Sequence, residues 1–105
     1  MRGRNIVLAT GSYSKTLGQR IDERVLTSEG ALRLERVPAS AVVLGGGVIG
    51  VEFASAWASL GARVTIIEAL PRLVPGEDEA VSKQLERAFR KRRIAVRTNT
   101  MFESV

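Results

Sequence analysis

The feature that most constrains this 105-residue chain is a glycine cluster at residues 45–50, which directly follows an unbroken apolar run at residues 41–44. Gly45, Gly47 and Gly50 match the pattern G-x-G-x-x-G. Glycines at these positions permit a tight turn, a close approach of the backbone to a pyrophosphate, and close packing of a helix on a strand. The cluster therefore predicts a strand, a phosphate-binding turn and a helix, in that order.

Apolar periodicity downstream of the cluster predicts how the chain continues. A helix is expected from the glycines to a stop at Gly61, followed by a second buried strand at residues 63–68. Pro71 and Pro75 then break the chain before a second helix, and residues 94–97 predict a third strand. The apolar residues at helical spacing are Ile49, Phe53, Trp57 and Leu60 in the first helix, and Val81, Leu85, Ala88 and Phe89 in the second.

The alternation of strands and helices between residues 41 and 97 predicts the fold class. Parallel strands joined by right-handed crossovers are expected, which gives an α/β fold, the Rossmann-like βαβαβ half of a doubly wound parallel sheet. The run at residues 41–44 shows no polar alternation, so its strand is expected to be covered on both faces.

The first 40 residues carry a weaker pattern. Residues 5–9 form a short apolar run closed by the triplet T-G-S, which predicts a buried strand that ends in a turn. A polar connection follows, and residues 25–26 predict a brief strand. Thr27 or Ser28 is expected to cap a short helix that extends to about Leu34.

Glu68, at the end of the second predicted strand, completes a candidate dinucleotide site. A carboxylate there accepts hydrogen bonds from the adenosine ribose, and its charge repels the 2′-phosphate of NADP. Because of this repulsion, NAD is the predicted cofactor. The amides at the start of the helix would face its phosphates. Arg63 and Arg72 leave NADP as a weaker alternative. The predicted loop residues are Gly45, Gly46, Gly47, Val48, Ile49 and Gly50, of which Gly46 adds no information to the pattern.

Composition limits the chemistry available to these residues. The chain has no cysteine and no histidine, which excludes disulfides, thiol redox chemistry and Ser-His or Cys-His catalysis within it. No metal site is expected, no targeting signal is visible, and a cytoplasmic location is expected. The net charge of +5 leaves +1 once the run at residues 90–93 is set aside. A nucleic-acid-binding module is therefore a minor alternative, and a solvated helix end explains the run.

The sequence GGGVIGVEFASAWASLGARVTIIEALPRLVPGEDEAVSKQLERAFRKRRI closely resembles the NAD-binding domain of dihydrolipoamide dehydrogenases, in the flavoprotein disulfide reductase family. NIVLATGS resembles that family's second flavin-domain motif. The resemblance implies three parts: the end of an FAD-binding domain at residues 1–12, a connector at 13–39, and the first half of an NAD-binding domain at 40–105.

The resemblance also implies roles for individual residues. The loop glycines would hold the NAD pyrophosphate and Glu68 the ribose, while Glu52 would lie near the nicotinamide and the flavin. From position alone, Glu52 is expected on the first turn of its helix, where the dipole favours a negative charge. Thr10 and Gly11 match the flavin-side motif. NADP-specific relatives resemble this pattern with arginines at the positions of Glu68 and Val74, so NAD is again favoured.

The resemblance implies an enzyme that oxidises dihydrolipoamide through a disulfide and FAD and passes hydride to NAD. Its partners would be a second identical subunit and the lipoyl domains of 2-oxo acid dehydrogenase complexes, with no nucleic acid or membrane partner. The cysteine pair and other domains of the family are missing from these residues, so the segment alone is expected to bind NAD at most. A related reductase, of the mercuric reductase or transhydrogenase type, and a fragment without function remain alternatives.

Two loops depart from the family pattern. The chain has YSKTLGQRID where relatives usually carry a proline, so that loop is expected to be altered. Arg93 stands where the family commonly has glycine before the third strand, which makes a left-handed helix cap less favourable there.

Overall fold

The computed structural model describes residues 3–104. Residues 1–2 and 105, which the predicted domain boundaries include, lie outside the described residues. The elements in chain order are α1 (Ser28–Leu32), β1 (Ser40–Leu44), α2 (Val48–Ser59), β2 (Arg63–Ile67), α3 (Glu79–Lys91) and β3 (Ala95–Arg97).

The three strands form one parallel sheet in the order β1-β2-β3. Ile66 in the central strand pairs with Val43 on one side and with Val96 on the other. Residues that pair across neighbouring strands point to the same side of a sheet, so these three apolar residues lie on one face. The predicted α/β fold, with strands and helices alternating as βαβαβ, is confirmed.

The core lies between this face of the sheet and the two long helices. It consists of Val51, Ala54, Ala62, Val64, Ile66, Leu73, Val74, Phe89 and Ile94. On α2, Val51 and Ala54 are buried, whereas Ile49 and Leu60, which were expected on the apolar stripe, are exposed. Apolar residues surround most of α2, so periodicity alone could not select the face that contacts the sheet.

The buried face of α3 also differs from the prediction in part. Ser82 and Phe89 are buried and Leu85 packs against the core, but Val81 and Ala88 are exposed. The three inward residues are spaced three and four apart, which is the helical repeat of one stripe. The sequence prediction named Leu85 and Phe89 of this stripe but omitted Ser82, because serine is polar.

The described residues cover the opposite face of the sheet only in part. Val42 alternates with the core-facing Val43 in β1, and its side chain is 61% exposed. The expectation that residues 41–44 are covered on both faces is therefore wrong for this chain. An apolar run shows that a strand avoids water, but the covering layer has to come from other segments.

Both long helices end with the same hydrogen-bonding arrangement, one closed by glycine and the other by arginine. After α2, Gly61 has a φ of +97°, and the Ala62 amide donates to the Trp57 carbonyl at 3.0 Å. After α3, Arg93 has a φ of +59°, and the Ile94 amide donates to the Phe89 carbonyl at 3.0 Å. The left-handed cap thus forms despite Arg93. The left-handed conformation of Arg93 costs about 1–2 kcal/mol, and the burial of Ile94 offsets this cost.

The chain divides into two units, Met1–Arg33 and Leu34–Val105, and the division falls within the predicted connector. In the first unit, the predicted strand at residues 5–9 is wrong, because these residues have no strand pairing and are exposed. The brief strand predicted at residues 25–26 is also absent. The helix prediction holds: Thr27 caps α1 by accepting a hydrogen bond from the Gly30 amide.

Candidate functional site

The glycine loop lies at the carboxyl end of β1, where the chain turns into α2. Gly45 has a φ of +101°, a conformation that L side chains rarely adopt, and its amide donates to the Ile67 carbonyl at 2.9 Å. A Cβ atom on Gly50 would overlap the carbonyl oxygen of Gly45 and crowd Val43. The turn and the close packing of helix on strand therefore both depend on glycine, for the reasons the pattern predicts.

The start of α2 presents a row of backbone amides. Within residues 3–104, the N–H groups of Gly47, Val48, Ile49 and Gly50 donate to no protein acceptor. Gly47 is the N-cap residue and offers no side-chain cap, and the space where its Cβ would stand is open to at least 4 Å. An anion can approach these amides closely, because the first turn of a helix leaves its donors unpaired and carries a partial positive charge.

Glu68 follows β2 directly and turns back toward the glycine loop. Its carboxylate accepts hydrogen bonds from the Gly46 amide at 2.5 Å and from the Leu70 amide at 2.7 Å. The residue is only 8% exposed. The acid therefore joins the loop after β1 to the loop after β2, and two backbone hydrogen bonds already use part of its acceptor capacity.

Gly46 is more constrained than the sequence pattern suggests. Besides its bond to Glu68, its carbonyl accepts a hydrogen bond from the Val74 amide at 2.7 Å. A Cβ atom at Gly46 would come within 2.5 Å of Leu73 Cδ2. The expectation that this position adds no information is therefore wrong. It follows from treating the motif as a local pattern, whereas Leu73 and Val74 arrive from more than 20 residues further along the chain.

Val74 is a contact of the loop that the sequence prediction did not identify. Its φ of +42° is unusual for a β-branched residue, and its side chain is buried in the core. The sequence identifies Val74 only as a non-basic position relevant to NADP. The neighbouring prolines, Pro71 and Pro75, indicate an irregular loop but not its contact with Gly46.

Glu52 lies on α2 but not on its first turn. The helix begins at Val48, which makes Glu52 the fifth helical residue, so the expectation of a first-turn position is wrong. The error arises from counting the helix from the last glycine rather than from the N-cap. Glu52 is exposed and lines a shallow groove between α2 and α3 together with Ser55 and Phe89.

Thr10 and Gly11, the residues predicted on the flavin side, belong to the other unit of the chain. Both are exposed and lie in irregular backbone, where Gly11 has a φ of +78°. The loop residues and Glu68, by contrast, all lie within Leu34–Val105 and are joined by the hydrogen bonds described above.

The basic run at residues 90–93 closes α3. The Arg92 guanidinium donates to the Ser55 hydroxyl at 2.6 Å, to the Ser55 carbonyl at 2.8 Å and to the Ser59 hydroxyl at 2.7 Å. Arg93 forms the left-handed cap. The Arg92 side chain therefore serves the packing of α3 on α2, which weakens the nucleic-acid alternative, whereas Arg93 caps α3 through its backbone.

Two further observations concern the described part of the chain. Every helix within it is too short or too polar to cross a lipid bilayer. Its acidic side chains form no cluster of three that could hold a metal ion.

Similarity to known proteins covers the whole chain. A family model described as pyridine nucleotide-disulphide oxidoreductase matches residues 1–105. A dihydrolipoyl dehydrogenase of Chlorobaculum tepidum is 42% identical over 104 residues, which cover 97% of this chain and 22% of that protein. The chain thus spans about a fifth of the length of this curated relative.

Solved structures show the same similarity. A HOCl-induced flavoprotein disulfide reductase from Escherichia coli matches with a TM-score of 0.67 and 37% identity, over 71% of this chain and 17% of its own. A water-forming NADH oxidase from Lactobacillus brevis, solved with NADH bound, matches with a TM-score of 0.59 and 30% identity, over 72% of this chain and 16% of its own.

Proposed function

The chain belongs to the pyridine nucleotide-disulphide oxidoreductase family, and from this premise we propose that residues 40–105 are the first half of an NAD-binding domain. Proteins of this family are oxidoreductases. Residues 1–12 are proposed as the end of an FAD-binding domain, and residues 13–39 as the connector. The observation that carries the proposal is the open row of amides at the start of α2, with the Glu68 carboxylate hydrogen-bonded to the same loop.

The pyrophosphate of NAD would bind at Gly47, Val48, Ile49 and Gly50. These four amides donate to no acceptor within residues 3–104, and apart from Gly47 and its two chain neighbours no described residue has an atom within 4 Å of the site where a Gly47 side chain would be. Gly45 and Gly46 shape the turn beneath them, since their own amides are bonded to Ile67 and Glu68. A phosphate would thus replace water as the acceptor for donors that the fold leaves unpaired.

The adenosine ribose would bind at Glu68. Its oxygens accept one backbone hydrogen bond each, which leaves acceptor sites for ribose hydroxyls because a carboxylate has roughly four lone-pair sites. The same negative charge disfavours the 2′-phosphate of NADP. Val74 provides no cation to neutralise that phosphate, so NAD is the proposed cofactor rather than NADP.

For the complete protein, the proposed activity is that of a dihydrolipoyl dehydrogenase. Such an enzyme oxidises dihydrolipoamide through a disulfide and FAD, and NAD accepts the hydride when bound. Glu52 is proposed to lie near the nicotinamide, supported by its exposure on the helix that the glycine loop begins. Thr10 and Gly11 are proposed to face the flavin. The 105 residues contain no cysteine, so the reactive disulfide would have to come from other residues.

The oligomeric state, the partners and the location of the complete enzyme are proposed from its similarity to dihydrolipoyl dehydrogenases. A homodimer is expected, with lipoyl domains of 2-oxo acid dehydrogenase complexes as partners. A cytoplasmic location is proposed as well. A related flavin disulfide reductase remains the second candidate, since the E. coli reductase also matches at 37% identity.

The ribose contact can be tested by titration calorimetry of the 105-residue chain with NAD, NADP and 2′-deoxyadenosine NAD. We expect NAD to bind, and the deoxy analogue to bind roughly tenfold more weakly because one charge-assisted hydrogen bond is lost. In Glu68→Gln the difference between NAD and the analogue should shrink. Glu23→Gln, which alters an exposed carboxylate of the other unit, should preserve it.

Two results would reject parts of this proposal separately. Equal affinity of the native chain for NAD and the deoxy analogue would remove the ribose role of Glu68. The absence of any NAD binding by the native chain would remove the proposal that these residues suffice to bind the cofactor.

A further inference from the structure

Two side chains of α3 hold the backbone of Leu73 from both sides. The Ser82 hydroxyl donates to the Leu73 carbonyl at 2.7 Å, and the Leu73 amide donates to Glu86 Oε1 at 3.2 Å. Ser82 is only 1% exposed. A serine inside a helix usually bonds to its own helix backbone or faces solvent, whereas this one bonds to a loop nine residues earlier in the chain.

The next residue along, Val74, connects this anchor to the glycine loop. Its amide donates to the Gly46 carbonyl at 2.7 Å, from a backbone with a φ of +42°. Such a conformation persists only where the surrounding structure holds it in place. The fixed peptide of Leu73 on one side, and the Arg72 guanidinium bonded to the Pro75 carbonyl at 2.9 Å on the other, supply that restraint.

Gly46 is consequently fixed at both of its polar groups. Its carbonyl is bonded to Val74 and its amide to Glu68, and Leu73 fills the space beside its Cα. Gly46 immediately precedes Gly47, whose amide is the first of the unpaired donors at the start of α2. The Gly46 carbonyl and the Gly47 amide belong to the same peptide group. Fixing this peptide therefore sets the direction in which the first unpaired N–H points.

We propose that Ser82 and Glu86 are positioning residues for dinucleotide binding, which act on the glycine loop through Leu73 and Val74. This inference rests on the proposed function, because it takes the unpaired amides of α2 as the phosphate site. Neither residue touches the ligand in this arrangement. They hold the loop in its binding conformation before the ligand arrives, which avoids the cost of ordering it on binding.

Helix α3 makes two separable contributions, one to stability and one to the ligand site. Leu85 and Phe89 pack against the core and stabilise the unit as a whole. Ser82 and Glu86 additionally fix one peptide that leads to the ligand site. Loss of a packing side chain should therefore lower stability with little effect on the affinity of the folded protein. Loss of Ser82 or Glu86 should lower affinity as well.

The experiment compares the native 105-residue chain with Ser82→Ala, Glu86→Ala and Glu86→Gln, and with Leu85→Ala as the packing control. Two quantities are measured: the amide ¹H–¹⁵N shifts of Gly46 and Val74 without ligand, and the dissociation constant for NAD by calorimetry at a temperature where every variant is folded. Glu86→Gln keeps an oxygen acceptor for the Leu73 amide, so it serves as the conservative rescue.

We expect Ser82→Ala and Glu86→Ala to shift the Gly46 and Val74 amide signals and to weaken NAD binding roughly tenfold. Glu86→Gln should retain most of the native affinity, and Leu85→Ala should retain it despite a lower melting temperature. If Ser82→Ala does not fold, the Glu86→Ala and Glu86→Gln pair carries the same comparison.

The measurements distinguish loss of the positioning role from loss of the NAD site. If the native chain binds NAD and the Ser82 and Glu86 variants bind it equally well, the positioning role is wrong and the NAD site stands. The same conclusion follows if Leu85→Ala weakens binding as much as they do. If the native chain does not bind NAD, both proposals fail together.

Discussion

Two apolar runs of similar composition adopt different structures in this molecule, one a paired strand and the other an unpaired, exposed segment. Residues 5–9 and the β1 strand Ser40–Leu44 are both short, rich in branched side chains and followed closely by glycine. The second pairs along its whole length with β2, and its Val43 packs against the core. The first has no strand partner among the described residues, and its apolar side chains are exposed.

The difference extends to the hydrogen bonds of the two units. Within residues 3–33, the described hydrogen bonds join groups no more than four positions apart. Within residues 34–104, Gly46, Glu68 and Leu73 connect segments that are distant in sequence. A β-strand is stable only with neighbours and a covered face, so apolar content alone does not produce one.

The largest expected effect on the free energy of unfolding comes from truncating one isoleucine in each unit to alanine. Ile66 is 0% exposed at the centre of the sheet, and Ile6 is 79% exposed. Ile66→Ala should lower the free energy of unfolding by about 2–5 kcal/mol because it leaves a cavity. Ile6→Ala should change it by less than about 0.5 kcal/mol. Urea unfolding followed by Trp57 fluorescence measures both, and similar losses would show that residues 5–9 are packed.

A second pair compares glycines that follow the two runs. Gly50→Ala should lower the free energy of unfolding by about 1–3 kcal/mol, because the added methyl overlaps the Gly45 carbonyl. Gly11→Ala meets no atom within 4 Å and should leave the Trp57 transition unchanged, although φ is +78° there. Gly76→Ala, in open space within the second unit, is the control. A tolerated Gly50→Ala would contradict the close contact of helix and strand.

The helix caps give a third, smaller pair. Thr27 caps α1 and Asp78 caps α3, the latter by accepting a hydrogen bond from the Ala80 amide at 2.9 Å. Asp78→Ala should cost about 1 kcal/mol and leave α3 formed, because the sheet holds it. Thr27→Ala should abolish α1, since a five-residue helix without buried residues has little else to stabilise it. Cα chemical shifts of both helices test this, and an intact α1 in Thr27→Ala would weaken the contrast.

The smallest expected effect is the pH-dependent contribution to stability of one carboxylate in each unit. The side-chain hydrogen bond from Lys83 lowers the pKa of Glu79, and backbone hydrogen bonds from Arg24 and Val25 lower the pKa of Asp22. Each group therefore contributes stability above its unfolded-chain pKa, and this contribution is lost as the pH falls through the lowered folded pKa. Both carboxylates are exposed, so these effects are small.

A high salt concentration should affect the pKa values of these two carboxylates differently. Carboxyl-carbon NMR titrations in 1 M NaCl should bring the pKa of Glu79 toward its ordinary value, because salt screens its exposed pair with Lys83. The pKa of Asp22 should stay low, since neutral backbone donors are the main cause of its shift and the charge of Arg24 contributes less. Lys83→Met should reproduce the effect of salt on Glu79 alone. A pKa of Asp22 that responds to salt as strongly as that of Glu79 would contradict this assignment.

Much of the second unit was predictable because its signals are local. The apolar runs predicted β1, β2 and β3, and the G-x-G-x-x-G pattern predicted the turn at Gly45 and the close packing at Gly50. The errors have a common cause. The buried faces of α2 and α3, the exposure of Val42 and the constraint on Gly46 all depend on what another segment contributes. The stable left-handed Arg93 cap depends in the same way on the burial of Ile94.

The amino-acid sequence by itself determined the order of strands and helices, the glycine turn and the acid at the end of β2, because each depends on neighbouring residues and on the periodicity of one segment. Only the tertiary structure decided that residues 5–9 stay unpaired, that Ser82 turns inward, and that Gly46 is bonded to both Glu68 and Val74. The first outcome reflects the lack of a neighbouring strand among the described residues. The other two require contacts between separate segments of the chain, and such contacts form only when the sheet and its helices are assembled.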